Sequence, residues 1–163
     1  MIYTIGHSNI TQESFIEILK EFKIQIVIDV RSSPYSKFVP HFNRENIKKT
    51  LKENNIRYIF LGDYIGGKPK YKKFYENGKV NYDLIAKTKH FKEGIDKIME
   101  LSDDNNIVLM CSEEDPYNCH RHHLITQTLL KYGLEVIHIR KECKTEKITK
   151  LDKKDIQKTL FSP

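Results

Sequence analysis

Residues 106–133, "NIVLMCSEEDPYNCHRHHLITQTLLKYG", decide how this chain is read. The run opens on "NIVLMC" (106–111), apolar without polar alternation, as expected of a strand covered on both faces. It closes on Leu124, Ile125, Thr128, Leu129 and Tyr132, which fall on one helical stripe. A strand handing over to a helix is half of a βαβ unit, and "EVIHI" (135–139) supplies the next strand. Between the two elements, "CSEEDPYNCHR" (111–121) crowds three acids, two thiols, an imidazole and a guanidinium into one crossing.

The same alternation extends outward in both directions. "IYTIG" (2–6) is a short apolar strand, and Thr11 caps a helix with Phe15, Ile18, Leu19 and Phe22 inward. "IQIVIDV" (24–30) reads as a second buried strand. Asn43 caps the helix "RENIKKTLKEN", and "IRYIFLG" (56–62) is a third strand. Residues 63–81 are rich in glycine, lysine and aromatics and read as a long loop. A helix carrying Leu84, Ile85, Phe91, Ile95, Ile98 and Met99 then leads to the strand at 106–111. The expected fold is a single α/β domain over 1–140, with a mostly parallel five-stranded sheet, helices on both faces and a Rossmann-like plan. Residues 141–163 form a lysine-rich C-terminal extension with room for one short helix near 153–160.

Composition narrows the class. Hydrophobic residues are 39% of the chain, enough for a packed core. No apolar run approaches the ~20 residues of a membrane span, and the first residues lack a basic, signal-like segment. Three cysteines without small-scaffold spacing argue against a disulfide framework. The expectation is a cytoplasmic protein with no membrane partner. The net charge of +6 permits an anionic partner, but the lysines are spread over nearly every segment.

Parallel α/β sheets bind ligands at the carboxyl ends of their strands. There the sequence places His7 and Ser8 after the first strand, and Asp29, Arg31 and Ser36 after the second. Asp29 and Arg31 share one side of the chain, so the buried carboxylate has a partner at hand. After the fourth long strand come Glu113 and, beyond Pro116 and the expected N-cap Asn118, Cys119, His120 and Arg121 in a first helical turn. A helix start is an anion site, and Arg121 is expected to lie over the strand ends rather than enter the core. His120 and His122 flank the buried stripe, and His123 faces away from it.

Three chemistries compete for these parts. Structural zinc is disfavoured: no Cys-x2-Cys pair exists, and the local set Cys119, His122 and His123 does not close a cage. A divalent ion held by Asp29 and Glu113 fits better, since hard cations choose carboxylates. A nucleophilic thiol fits Cys119, beside a histidine and an arginine at a helix start, while Cys111 reads as a buried apolar residue. Neither cysteine has the spacing to Arg121 that a rhodanese or cysteine-phosphatase loop requires. General acid–base chemistry would use His7, Glu113 or His120 as proton carriers, with Arg31 and Arg121 holding an anion. In the loop, Tyr64, Tyr71, Phe74 and Tyr75 interleave with Lys68, Lys70, Lys72, Lys73 and Lys79, a pattern suited to stacking bases and tracking phosphates.

The ordered set "TIGHS", "DVRSSPYSKF", "LGDYIGG" (61–67) and "MCSEEDPYNCHR" (110–121) resembles an uncharacterised bacterial and archaeal family, domain of unknown function 488. The resemblance runs to about residue 140 and implies a single α/β domain. The motif positions it carries are His7, Ser8, Asp29, Arg31, Pro34, Ser36, Gly62, Gly66, Gly67, Cys111, Glu113, Cys119, His120 and Arg121. It implies no reaction.

The reading preferred from sequence is an enzyme, with a hydrolase the form considered, acting on a phosphate-bearing substrate, a nucleotide or nucleic acid. His7, Asp29, Glu113, Cys119 and His120 are its candidate catalytic residues. Ser8, Arg31, Ser36, Lys68 and Arg121 are its candidate binding residues. The alternative is a non-catalytic nucleic-acid-binding module using the 63–81 loop, and a third reading is thiol chemistry at Cys119.

Overall fold

The strands β1 (Ile2–Gly6), β2 (Ile26–Asp29) and β3 (Arg57–Phe60) lie where the apolar runs predict them. Two short strands, β4 (Tyr75–Glu76) and β5 (Lys79–Val80), form a separate hairpin. They are followed by β6 (Ile107–Cys111), β7 (Val136–Ile139) and β8 (Thr145–Ile148). The computed structural model describes residues 1–152, so the short helix expected near 153–160 lies outside the described residues.

The main sheet has six strands in the order β3-β2-β6-β1-β7-β8, not the five expected. Its neighbours pair in parallel except β8, which runs antiparallel to β7 with Val136 opposite Ile148 and Ile139 opposite Thr145. The added strand comes from the lysine-rich extension. Its polarity hid it, because charged side chains are how an exposed sheet edge avoids pairing with other chains.

Helices cover both faces. Val27, Val108, Met110 and Ile5 pack with Phe15 and Leu19 of α1 (Gln12–Glu21) and with Ile47 and Leu51 of α2 (Arg44–Glu53). Ile26, Ile28, Ile107 and Leu109 pack with Phe91, Ile95 and Ile98 of the long helix at Lys89–Asp104 and with Leu124, Ile125 and Leu129. Ile26, Val27 and Ile28 are all fully buried, each stabilising the sheet by roughly 1.5–3 kcal/mol. Alternation along each strand therefore sorts polar side chains by face as well. Among the described residues no helix is long and apolar enough to cross a membrane.

Two segments differ from their sequence reading. The 63–81 loop is built from α3 (Gly62–Ile65), a single 3₁₀ turn and the hairpin, and the helix after it is split into α4 (Tyr82–Ala86) and α5 (Lys89–Asp104). Thr88 makes the break, its hydroxyl accepting the Phe91 N–H as a fresh N-cap. The last helix does not start at Cys119 under an Asn118 cap. Asp115 caps a 3₁₀ turn at Pro116–Asn118, and Cys119 is extended (φ −140°, ψ 146°). Its carbonyl accepts the His122 and His123 N–H groups, and its sulfur accepts that of Arg121. A wide π-turn, Arg121–Thr126, follows before the regular turns of α6 (Gln127–Lys131). The Thr126 hydroxyl donates to the Arg121 carbonyl at 2.6 Å, occupying the acceptor that a tighter helix would use.

Candidate functional site

The carboxyl ends of β1, β2 and β6 carry two groups of polar side chains. The first is built on Asp29, fully buried at the end of β2. Its Oδ1 accepts from the Arg31 backbone N–H and from Arg31 Nε at 2.9 Å, and its Oδ2 accepts from Arg31 Nη2 at 2.7 Å. The Tyr58 hydroxyl donates to the same Oδ2. Tyr58 lies on β3 beside Val27, on Asp29's face, and its phenol is pushed up by burial and by the carboxylate. Arg31 Nη1 reaches His7 Nε2 at 3.2 Å. His7 Nδ1 lies 2.8 Å from the Ser8 carbonyl, an acceptor only, so Nδ1 carries the proton and Nε2 accepts from Arg31. Burial, reinforced by the nearby guanidinium, lowers His7 to about 4, and its ring stacks on Phe42 at 4.4 Å. The side chains of this group bond one another, and His7 closes on the Ser8 carbonyl.

The second group is on the opposite side of the sheet end. Cys111 ends β6, and Cys119 and His120 return to it from the crossover. His120 Nε2 lies 2.9 Å from the Val30 carbonyl. That carbonyl can only accept, so Nε2–H donates and Nδ1 is left to face the thiols. Nδ1 faces Cys119 Sγ at 3.6 Å and Cys111 Sγ at 4.0 Å. The two sulfurs and Nδ1 all fall within 4.8 Å of one another. Cys119 is held well below the usual thiol range, first by the hydrogen bond from Cys111, then by His120 and the Arg121 charge. Cys111 moves the opposite way, because it supplies that hydrogen bond and is buried. Half-buried Tyr82 also adjoins both thiols and is pushed up by burial and by them.

Val30 joins the two groups, lying between Asp29 and Arg31 with its carbonyl on His120. Glycines allow the close approach. A Cβ on Gly67 would lie 2.6 Å from the His120 ring, and one on Gly6 would strike the Glu113 carbonyl.

Arg121 overturns the expectation that an arginine stays out of the core. It is fully buried and donates to the Thr4 hydroxyl and to the Glu113 and Glu114 carbonyls, which clamps the crossover onto β1. The Asp29–Glu113 metal pair does not form: Asp29 is filled by Arg31 and Tyr58, and the Glu113 side chain is exposed. Ser36 caps its own loop, accepting the Phe38 and Val39 N–H groups. Ser8 sits at φ 46° with its N–H on the Ser112 carbonyl. The Lys68 N–H donates to Ser32 Oγ, at the rim of a cleft of about 500 Å³ lined by Lys68, Lys70, Tyr71, Lys73 and His90. Ser32 also lines that cleft, as does Gly66, one residue from the Gly67 that covers His120.

Sequence reasoning missed Tyr58, Tyr82 and the pairing of Cys111 with Cys119. Only Tyr58 left a signal, through its alternation on β3. The cysteine–histidine set is also chemically suited to a soft cation. Zinc bond lengths of about 2.3 Å to sulfur and 2.0–2.1 Å to nitrogen place tetrahedral S and N corners roughly 3.6 Å apart.

Fold and site together define a parallel-sheet α/β protein with a thiol–imidazole centre at its strand ends. The chain belongs to the family described as Domain of unknown function DUF488, which matches residues 11–128. The matched span holds Asp29, Arg31, Cys111, Cys119 and His120 and begins after His7. No curated protein and no solved structure matches the chain.

Proposed function

We propose that the protein is a thiol-dependent enzyme in which Cys119 attacks an electrophilic centre of a phosphate-bearing substrate. One observation carries this reading: the His120 ring is pinned by the Val30 carbonyl, so that its Nδ1 lies 3.6 Å from Cys119 Sγ. That is the nucleophile–base–orienter arrangement of cysteine catalysis. Cys111, 4.0 Å from the same nitrogen, donates to the thiolate and holds it in place. The Rossmann-like use of the strand carboxyl ends fits this location.

The phosphate serves as a handle rather than the reacting group. Phosphoryl transfer needs several cationic donors around the transferred oxygens. Arg31 is closed on Asp29 and His7, and Arg121 on Thr4 and two carbonyls, so neither is available beside the sulfur. The lysines of the cleft at Gly66–Lys73 face solvent near the site, and they suit an anionic group held at a distance from the thiol. The reacting centre is then a carbonyl. On activation the Cys119 proton passes to His120 Nδ1. Attack forms an S–C bond, and the leaving group takes that proton from His120. Water, deprotonated by His120, then breaks the S–C bond and releases the acid and the thiolate.

The test compares p-nitrophenyl acetate with p-nitrophenyl phosphate as substrates. The expected result is a burst from the acetate, an acetyl adduct on Cys119 by mass spectrometry, and loss of both in Cys119→Ser. Lys68→Ala should leave that burst intact, and should weaken protection of the site by nucleotides. Full turnover by Cys119→Ser sinks the reading. Salt-dependent nucleic-acid binding that survives Cys119→Ser, with no turnover by the parent chain, would favour the non-catalytic module instead.

A further inference from the structure

A second cluster lies along the same helix, outside the thiol centre. His122 Nε2 is 3.1 Å from Asp152 Oδ2, and His123 Nδ1 is 4.0 Å from the same oxygen. All three donor atoms fall within 4.8 Å of one another. We infer that His122, His123 and Asp152 form a binding site for a divalent transition-metal ion of the zinc type, with two imidazole nitrogens and one carboxylate as ligands.

The ring orientations suit a cation there. His123 Nε2 lies 2.6 Å from the Tyr117 carbonyl, which can only accept. Nε2–H therefore donates to it, and Nδ1 is the nitrogen turned toward the carboxylate oxygen, where both can bind one ion.

The surroundings are those of a ligand set rather than of a chance surface pair. Metal-bound histidines use the second ring nitrogen to donate to an oriented acceptor. His123 does so to Tyr117. His122 has Nδ1 at 2.9 Å from His138 Nε2, and His138 Nδ1 lies 2.7 Å from the Thr4 hydroxyl. Protons placed on His122 Nδ1 and His138 Nδ1 run this buried chain toward Thr4 and free His122 Nε2 to bind metal. In the metal-free form the chain runs the other way, ending in a hydrogen bond from His122 to Asp152. The Asp152 backbone is held as well, since Gln127 Oε1 accepts the Asp152 N–H at 2.9 Å.

Magnitudes fit with one small adjustment. Zinc–nitrogen and zinc–oxygen lengths of about 2.0–2.2 Å put tetrahedral corners roughly 3.4 Å apart. The His122–Asp152 spacing already meets this. The His123–Asp152 spacing must close by about half an ångström, which a half-exposed side chain can supply. The cluster borders a cleft that Glu76, Asn81 and Tyr82 also line, so water or a further oxygen ligand can complete the shell. The bound ion would also fasten the C-terminal extension to the helical turn that follows His120.

This site does not depend on the thiol reading, and cobalt separates the two. The full-length chain, stripped by a chelator, is titrated with Co²⁺. The expected result is a visible d–d spectrum that saturates at one equivalent, survives Cys119→Ser and lacks a thiolate-to-metal charge-transfer band. Asp152→Asn and His123→Ala should each weaken binding at least ~tenfold while keeping the far-ultraviolet circular dichroism of the parent. Three results would overturn the site: no such spectrum, a spectrum that vanishes with Cys119, or unchanged affinity in both ligand variants.

Discussion

The two polar groups at the sheet's end are almost equally buried, yet they are opposite in chemical character. Around Asp29 the carboxylate meets a bidentate guanidinium and a phenol, and the guanidinium meets a neutral imidazole. Charge is balanced inside the group, and no lone pair is left over for a substrate. Around Cys119 a second thiol, an imidazole nitrogen and the Arg121 charge converge, and the hydrogen bond from Cys111 above all favours a thiolate. Burial alone therefore does not mark reactivity. What separates the two is whether donors and acceptors cancel. The closed group supports the sheet end, and the open group is the place where chemistry can occur.

The sharpest way to break this contrast is to unbalance the closed group. Asp29→Ala leaves the Arg31 guanidinium buried without its counter-charge, and should destabilise the fold by about 3–5 kcal/mol in urea unfolding. A loss below ~1 kcal/mol would mean that water reaches the arginine and that the group is not closed. Arg121→Met comes next. It removes the clamp on Thr4 and the Glu113 and Glu114 carbonyls, with an expected loss of about 2–3 kcal/mol. It should also make Cys119 less acidic.

A smaller effect is carried by pH. Below about 6.5 the unfolded chain takes up a proton at His7, and the folded chain refuses it until about 4. Stability should therefore fall as pH drops through that window, by about 1.4 kcal/mol per pH unit from this ring. His7→Gln should flatten the slope there, as read by urea midpoints at stepped pH.

The parts that were legible in the sequence are those whose partners lie within one element. Thr11 caps its helix as its position predicts, and the two-residue spacing of Asp29 and Arg31 foretells their pairing. The apolar runs locate five of the six main-sheet strands and the edge on which to look. Long-range and backbone partners were not legible. Arg121 is buried because two carbonyls and Thr4 receive it, and carbonyls leave no trace in residue type. Cys111 and Cys119 lie eight apart with no motif spacing. They meet because Cys119 is extended and the helix begins after it. The His122–His138 contact needs the parallel neighbour β7, which no helical wheel can supply.

The smallest stability effect belongs to the open group. Cys119→Ala should cost about 1 kcal/mol or less, although it removes the proposed nucleophile. The decisive measurement is the pH dependence of iodoacetamide alkylation at Cys119, read by peptide mass spectrometry on chelator-treated protein carrying Cys143→Ser. A rate that stays flat from pH 8 down to about 5 is the expected result, because Cys119 is already ionised across that range. A rate that climbs tenfold per pH unit toward the ordinary thiol value would show a protonated, inert cysteine, and the reactive centre described here would not exist.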